Sequence, residues 1–235
     1  LGLADFESFE GINFGNVDDK DASIFPVAIP NHRGKLQMGI IHRPLFPSTR
    51  PEETVKRAES RKVDLIHESI WISYCPMALN GPEPFRLGLF NSHHRLVTPV
   101  SPWERLKVGG GTPPILTRFG WLIIYHGVSD MEDSCGGGRQ LRYSAGAMIL
   151  SKEQPNVLLY RSAQPVLTPE LPQECLGTID NVVFPTGIDQ RLDIDMPDRF
   201  DVYYGMADNR IGVARLDLPD SLPTGTVDAN PKAKI

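Results

Sequence analysis

Short apolar runs separated by turn residues dominate the hydrophobic pattern of this chain. Each run is about one strand long, rich in β-branched and aromatic residues, and ends at glycine, proline, asparagine, aspartate or serine. The runs are ASIFPVAIP, KLQMGIIHRP, SIWISYCP, GWLIIYHGV, SAGAMILS, NVLLYRS, NVVFPTGI, FDVYYGMAD and RIGVARLDL. The pattern predicts an all-β protein without long amphipathic helices.

Two groups of three consecutive runs predict repeated antiparallel units. GWLIIYHGV, SAGAMILS and NVLLYRS form one group, and NVVFPTGI, DVYYGMAD and RIGVARLDL form the other. Repeated units of this size are typical of β-propeller blades, although strand number alone also fits a β-sandwich. We expect a single domain over residues 1–235, in which the polar residues 222–235 form a flexible tail.

Composition and charge narrow the class of protein. The 235 residues are 40% hydrophobic and carry a formal net charge of −5, which suits one domain with a sizeable core. The mild acidity argues against a nucleic-acid surface, and no apolar run is long enough to span a membrane. Cys75, Cys135 and Cys175 fit neither a disulfide framework nor a zinc ribbon, so a reducing cytoplasm is the simplest interpretation.

Two charged residues near the N-terminus are candidates for chemistry. Asp21, in DDKDASIFP, is either a turn residue or a general acid, and composition alone favours the turn. Arg43 precedes a proline at the end of an apolar run, which keeps its backbone extended. Its planar guanidinium suits a phosphate or carboxylate ligand, and a salt bridge at a strand edge is the alternative.

A lysine and a histidine bracket the stretch LKVGGGTPPILTRFGWLIIYHGV. Lys107 precedes three glycines that permit close approach of backbone and ligand, and His126 ends the following strand. This is not a phosphate-binding loop of the Walker type, because no Gly-Lys-Ser/Thr follows. A lone histidine at a strand end is more often structural, and His42, His93 and His94 show no metal-ligand spacing.

The segment DVYYGMADNRIGVARLDL combines aromatic residues with a carboxylate. Tyr203, Tyr204 and Asp208 are predicted to surround a glycine turn between two strands. Aromatic faces suit stacking on a sugar ring, and a carboxylate suits its hydroxyls. A core strand with Asp208 capping the turn is an equally weighted alternative.

In series, these motifs resemble glycoside hydrolase family 130, the β-mannoside phosphorylases and their relatives. The matching pieces span almost the whole chain and are LGLADFESFE, KDASIFP, IIHRP, ESIWISYCP, SPWERLKVGGGTPPILTRFGWLIIYHGV, NVVFPTG and DVYYGMADNRIGVARLDL. The resemblance implies a five-bladed β-propeller with its active site in the central funnel. It also implies inverting phosphorolysis of β-mannosides to α-mannose 1-phosphate, a glycosyltransferase-type reaction with inorganic phosphate as co-substrate and no cofactor.

The resemblance also implies roles for individual residues. Asp21 matches the catalytic acid, which acts through a sugar hydroxyl, and Arg43, Lys107 and a protonated His126 match phosphate-binding positions. Arg61 is the candidate for a second phosphate-binding arginine, although most arginines in such a charged stretch are solvated. The substrate-binding candidates are Asp208, which matches a position that holds the mannosyl residue, and Tyr143, Asn181 and Tyr204.

One departure from the family concerns its first blade. Members carry an upstream Glu-Asp-Pro-Arg motif that is absent here, so we expect a chain that is N-terminally incomplete and lacks that blade. The expected partners are a β-mannoside oligosaccharide, phosphate and a second copy in a homo-oligomer. The alternatives are an inverting β-mannosidase, which needs no phosphate, and a catalytically silent sugar-binding propeller fragment.

Overall fold

The computed structural model of the protein describes residues 8–10, 18–45, 68–76, 90, 92–131 and 140–223. Its strands are β1 (Ser8–Glu10), β2 (Asp18–Ile24), β3 (Ile29–Pro30), β4 (Leu36–Leu45), β5 (Ile70–Cys75), β6 (Ser92–Val97), β7 (Lys107–Gly109), β8 (Ile115–Thr117), β9 (Gly120–Met131), β10 (Gln140–Leu150), β11 (Leu158–Arg161), β12 (Val183–Gln190), β13 (Arg199–Met206) and β14 (Arg210–Asp217). Short helical turns cover Pro102–Glu104, Leu192–Ile194 and α1 (Pro172–Cys175). The prediction of an all-β protein is confirmed. The predicted tail lies mostly outside the described residues.

The strands pair into three antiparallel sheets, in which most neighbours are close along the chain and β1 pairs with the distant β6. Sheet 1 has the order β1-β6-β5-β4-β2, with β3 also on β4; sheet 2 has the order β11-β10-β9-β7, with β8 also on β9; sheet 3 has the order β12-β13-β14. Both groups of three consecutive strands predicted from the sequence are therefore confirmed. No helix within the described residues has the length and apolar character that crossing a bilayer requires.

Two hydrophobic layers explain why the central strands lack an alternating pattern. Trp121, Ile123 and Tyr125 of β9 pack into a cluster shared with sheet 1. The intervening residues Leu122 and Ile124 pack into a second cluster shared with sheet 3. Because sheet 2 is covered on both faces, nearly every residue of WLIIY gains from being apolar.

Turn chemistry sets the hairpin between β3 and β4. The Asn31 side-chain oxygen accepts hydrogen bonds from the amides of Arg33 (2.9 Å) and Lys35 (3.0 Å). Gly34 supplies the positive φ of 74° that closes the turn. These are the residue types that favour turns, and they explain why the apolar runs on either side pair.

Sequence patterns missed strand β6, Ser92–Val97, because its sequence SHHRLV is largely polar. His93 and His94 are nevertheless almost fully buried, and each bonds to a serine hydroxyl, of Ser73 and Ser92 respectively. A buried polar side chain is tolerated when it has such a partner. Only the tertiary structure supplies these partners.

One edge strand of each sheet lies close to candidate site residues. Strands β2, β7 and β12 each form an edge of their sheet. Backbone bridges join neighbouring sheets nearby: Glu68 pairs with Lys107, and Tyr143 pairs with Val182. The edge strands are also close, because a Cβ atom would lie 2.1 Å from Asp21 of β2 if placed on Gly109 and 2.8 Å from Pro185 of β12 if placed on Gly111.

A buried ion pair anchors the start of sheet 2. Arg161 donates to Glu104 through Nη2 (2.7 Å) and to the Tyr125 hydroxyl through Nε (3.1 Å). The Tyr125 hydroxyl in turn donates to the other Glu104 oxygen (3.0 Å). The Arg161 and Glu104 side chains are fully buried, so water solvates neither charge and each depends on the other for compensation.

We expect Glu104→Gln to lower the free energy of unfolding by about 3 kcal/mol, because it leaves the Arg161 charge buried without a counter-ion. Urea unfolding measures the change. Asp198→Asn, which breaks the exposed pair with Arg118, is the control and should cost less than about 1 kcal/mol. Equal, small losses in both variants would show that the buried pair does not stabilise the fold.

Candidate active site

Asp21 lies in a β-bulge of β2. Strands β2 and β4 pair regularly up to Lys20 and resume at Ser23. The two residues between, Asp21 and Ala22, lie opposite the single residue His42. Asp21 has a φ of 54°, which is uncommon for a residue with a side chain, and bulges often re-aim side chains beside active sites. Asp21 is therefore part of a strand, not of the turn that composition favoured.

Arg43 lies between two carboxylates. Its Nε is 3.0 Å from Asp21 Oδ2, and its Nη1 is 3.1 Å from Glu68 Oε2. The Arg43 side chain is only 6% exposed, so these charges compensate a burial that would otherwise be costly. Glu68 was not among the predicted site residues, although it opens the quoted ESIWISYCP motif.

Glycine at position 109 permits Asp21 and His126 to meet. Gly109 of β7 pairs with His126 of β9. A Cβ atom on Gly109 would lie 2.1 Å from Asp21 Oδ2 and 2.5 Å from His126 Cε1. The glycine thus makes room for two side chains of the protein, and His126 Nε2 lies 3.7 Å from Asp21 Oδ2.

The surroundings of His126 favour its neutral form. Its Nδ1 lies 2.8 Å from the Gly110 carbonyl oxygen, which only accepts, so Nδ1 carries the proton and Nε2 presents a lone pair. Burial lowers the pKa of His126 from 6.5 to about 3, and the positive charges of Arg43 and Lys107 act in the same direction. The resemblance implies a protonated His126, whereas burial and the neighbouring cations favour its neutral form here.

The pKa of the Asp21 carboxyl is shifted upwards, in contrast to that of His126. Burial raises the pKa of Asp21 above its ordinary value, and the Glu68 carboxylate adds to the rise. Arg43 and Lys107 oppose this shift without cancelling it. A carboxyl with a raised pKa holds its proton closer to neutral pH, which suits a general acid.

Several buried polar atoms converge here without a hydrogen bond. They are Asp21 Oδ2, Arg43 Nε, Arg43 Nη1 and His126 Nε2. The contacts of Arg43 with its carboxylates are within ion-pair distance, but they do not meet hydrogen-bond geometry. Because buried polar groups are normally satisfied, this cluster is suited to a small ligand rich in oxygen atoms. Within the described ranges, no cluster of three potential metal ligands occurs.

Lys107 and aromatic rings flank the cluster. Lys107 Nζ lies 5.6 Å from the centre of the Tyr143 ring, and that ring is stacked near His126 with centroids 6.1 Å apart. The Phe184 ring lies 4.4 Å from the His126 ring. The sequence predicted Lys107 and Tyr143 but missed Phe184, although it belongs to the quoted NVVFPTG motif.

Asn181 lies next to Tyr143, just before sheet 3, and Asp208 lies in the turn between β13 and β14. The Asn181 carbonyl accepts a hydrogen bond from the Tyr143 amide (2.9 Å). Asp208 is exposed in the turn 207–209, and this turn is tied to the chain next to Asn181 because the Ala207 amide donates to Val182. The predicted glycine turn is wrong, since Gly205 lies within β13.

Tyr204 is separated from the cluster. Its ring packs in the core between sheets 2 and 3, and its hydroxyl donates to Glu174 (2.7 Å). Burial, together with Glu174, raises the pKa of Tyr204 to about 12. These contacts indicate a structural role, in contrast to the predicted substrate contact. Arg61 lies outside the described residues.

The chain matches a protein-family model and several characterised enzymes. Residues 50–222 match glycoside hydrolase family 130, described as β-1,4-mannooligosaccharide phosphorylase. A β-1,4-mannooligosaccharide phosphorylase from Ruminococcus albus is 37% identical over 131 residues, which cover 56% of this chain and 36% of that enzyme. A 1,2-β-oligomannan phosphorylase from a Thermoanaerobacter species is 33% identical over 203 residues, covering 86% of this chain and 52% of the relative.

Solved structures show the same fold. A β-1,2-mannobiose phosphorylase from Listeria innocua, in complex with β-1,2-mannobiose, aligns with a TM-score of 0.60 and 29% identity. The alignment covers 85% of this chain and 44% of that one. The chain thus spans about half the length, or less, of these relatives. On the family match over residues 50–222, the chain belongs to glycoside hydrolase family 130.

Proposed function

We propose that this protein cleaves β-mannosides with inorganic phosphate, with inversion, to give α-mannose 1-phosphate. The observation that carries the proposal is the convergence of Asp21, Arg43 and His126 beside Lys107, with polar atoms that lack hydrogen bonds. The relatives named as mannoside phosphorylases support the substrate class. The reaction transfers a glycosyl group to phosphate, so we assign it to the glycosyltransferase type.

The phosphate site combines positive charge with a hydrogen-bond acceptor. Arg43 and Lys107 supply the cations that a phosphate ion requires. The neutral His126 instead presents the Nε2 lone pair, which accepts the hydrogen of a P–OH group. Inorganic phosphate keeps at least one such hydrogen at neutral pH. A fully deprotonated oxyanion such as sulfate has none and would face the lone pair unfavourably.

In the proposed reaction, Asp21 supplies the proton. A phosphate oxygen forms a bond to the anomeric carbon while the bond from that carbon to the leaving sugar oxygen breaks. The leaving oxygen takes a proton that originates on Asp21 and passes through a sugar hydroxyl. Asp21 becomes a carboxylate next to the Arg43 guanidinium, 3.0 Å away, which stabilises the new charge.

The sugar is proposed to lie on the side of the cluster formed by sheets 2 and 3. Tyr143, Asn181 and Asp208 are the substrate-binding residues of this proposal, and Arg61 is the second phosphate-binding arginine. Tyr204 is not included, because its hydroxyl is bonded to Glu174 in the core.

The proposed architecture is a single-domain, five-bladed β-propeller in which sheets 1, 2 and 3 are blades. The adjacent edges of these sheets, formed by β2, β7 and β12, support a funnel at that position. We further propose a cytoplasmic enzyme that forms a homo-oligomer. Cys75 and Cys175 form no disulfide bond with another described residue, which is compatible with a reducing compartment.

Product analysis tests the reaction. We expect purified protein to convert β-linked mannobiose to mannose 1-phosphate only when inorganic phosphate is present. Lys107→Ala should lower kcat/KM for phosphate by about 100-fold, because it removes a cation from the anion site. Lys152→Ala, at an exposed position in the loop between β10 and β11, is the matched control and should leave turnover unchanged. Release of free mannose without phosphate would instead identify a hydrolase.

The protonation state of His126 is measurable by NMR. Because its pKa is lowered to about 3, its ring nitrogens should show no titration from about pH 5 to 8, with the proton on Nδ1. The same histidine in urea should titrate near 6.5, since unfolding removes the burial. Unfolding then takes up a proton between these pKa values, so the free energy of unfolding falls as the pH drops from 6.5 towards 3. Titration of His126 near pH 6.5 in the folded protein would contradict this and would support a positively charged His126 at the phosphate site.

A further inference from the structure

A buried chain of hydrogen bonds crosses sheet 1 beside the candidate active site. His42 Nδ1 lies 2.6 Å from Asp19 Oδ2, and His42 Nε2 lies 2.6 Å from Ser73 Oγ. Ser73 Oγ lies 2.7 Å from His93 Nδ1. The chain thus joins β2, β4, β5 and β6, and His42, Ser73 and His93 are each at most 3% exposed.

One placement of the ring hydrogens lets the four groups satisfy one another in a single direction. His42 Nδ1–H donates to the Asp19 carboxylate, which leaves Nε2 as an acceptor for the Ser73 hydroxyl. Ser73 Oγ then accepts from His93 Nδ1–H. In this placement each link has one donor and one acceptor, and bonds aligned in this way reinforce one another.

The same order of residues occurs in serine hydrolases, in which the serine attacks a substrate. Here the Ser73 side chain is completely buried between strands, so no substrate reaches its oxygen. The proposed phosphorolysis also gives no chemical role to Ser73 or His93. Its position in the sheet points to another role.

His42 occupies the key position of this chain. It is the single residue of β4 that lies opposite the bulge formed by Asp21 and Ala22. Its imidazole reaches back to Asp19, two residues before the catalytic candidate, while Ser73 holds the other side of the ring. From the bulge the ladder continues with Lys20–Arg43 and then Asp19–Pro44, and a proline has no amide to donate. The side-chain bond from His42 adds a link to β2 at Asp19, opposite this proline.

We propose that the Asp19–His42–Ser73–His93 chain is a positioning device that holds the Asp21 bulge in its left-handed conformation against Arg43. This role rests on the proposed function. It means that residues without substrate contact hold the general acid Asp21 in position. A bulge of two residues against one has other accessible conformations, and the φ of 54° at Asp21 is not favoured locally. The hydrogen bond between His42 and Asp19, two residues before Asp21, selects the conformation in which Asp21 contacts Arg43.

Asp19→Ala is the informative variant. The Asp19 side chain is 39% exposed, so its removal should leave the fold intact. We expect kcat for phosphorolysis to fall about 10- to 100-fold, because small displacements of a catalytic group have effects of this size, while KM for phosphate changes less than about twofold. Asp19→Asn keeps an oxygen acceptor for His42 and should retain most of the activity. Asp18→Ala, an exposed acid one residue earlier in the same strand, is the matched control.

A second measurement is independent of turnover. Carbon-13 NMR of the Asp21 carboxyl, assigned with Asp21→Asn, reports its pKa in each variant. The charged or titratable groups around it are Lys20, Arg43, Glu68, Lys107 and His126. In the wild type, burial raises this pKa, so a bulge that loosens in Asp19→Ala should lower it, and Asp19→Asn should restore it.

These outcomes separate the positioning role from the proposed reaction. A wild-type protein without phosphorolysis would refute the reaction, and the NMR comparison would still decide whether the hydrogen bond between His42 and Asp19 holds Asp21. An unchanged Asp21 pKa in Asp19→Ala would overturn the positioning role, as would an equal loss of kcat in Asp18→Ala. A lowered pKa with rescue by Asp19→Asn would support it.

Discussion

The close approach of the Asp21 carboxyl to the Arg43 guanidinium is the interaction on which the site depends. Their 3.0 Å contact is almost entirely buried, and it forms only because Gly109 leaves space beside it. Placing a charge out of water is costly unless an opposite charge is near, so the two groups constrain each other's position. Burial raises the pKa of Asp21 in spite of this partner, which leaves the carboxyl able to deliver a proton.

Burial raises the pKa of Asp21 but lowers that of His126. A histidine at this place in a sequence is naturally assigned a positive charge next to an anion site. In the structure, two neighbouring cations and a nearly complete loss of solvent favour its neutral form. The proposed phosphate is then recognised by two cations and one acceptor, an arrangement that selects an oxyanion still carrying a hydrogen.

Polar networks stabilise this fold at positions where a purely apolar core would be expected. The Glu104–Arg161–Tyr125 network fixes the beginning of sheet 2, and the Asp19–His42–Ser73–His93 chain crosses sheet 1. Buried networks whose members are paired specify one arrangement of strands more strictly than non-directional apolar contacts do. Both networks lie next to strands that carry site residues, so rigidity is concentrated where geometry matters most for the proposed reaction.

The sequence by itself determined the all-β class, the two meanders of sheets 2 and 3, and the family, because apolar runs, turn residues and motif spacing are local properties. It also singled out Asp21, Arg43, Lys107 and His126. Only the tertiary structure decided that Asp21 lies in a bulge, that Glu68 and Phe184 join the site, that Tyr204 belongs to the core and that β6 is a strand. The physical reason is that desolvation and hydrogen-bond partners depend on strands far apart in the chain, so neither the charge of His126 nor the burial of His93 is encoded in its neighbours.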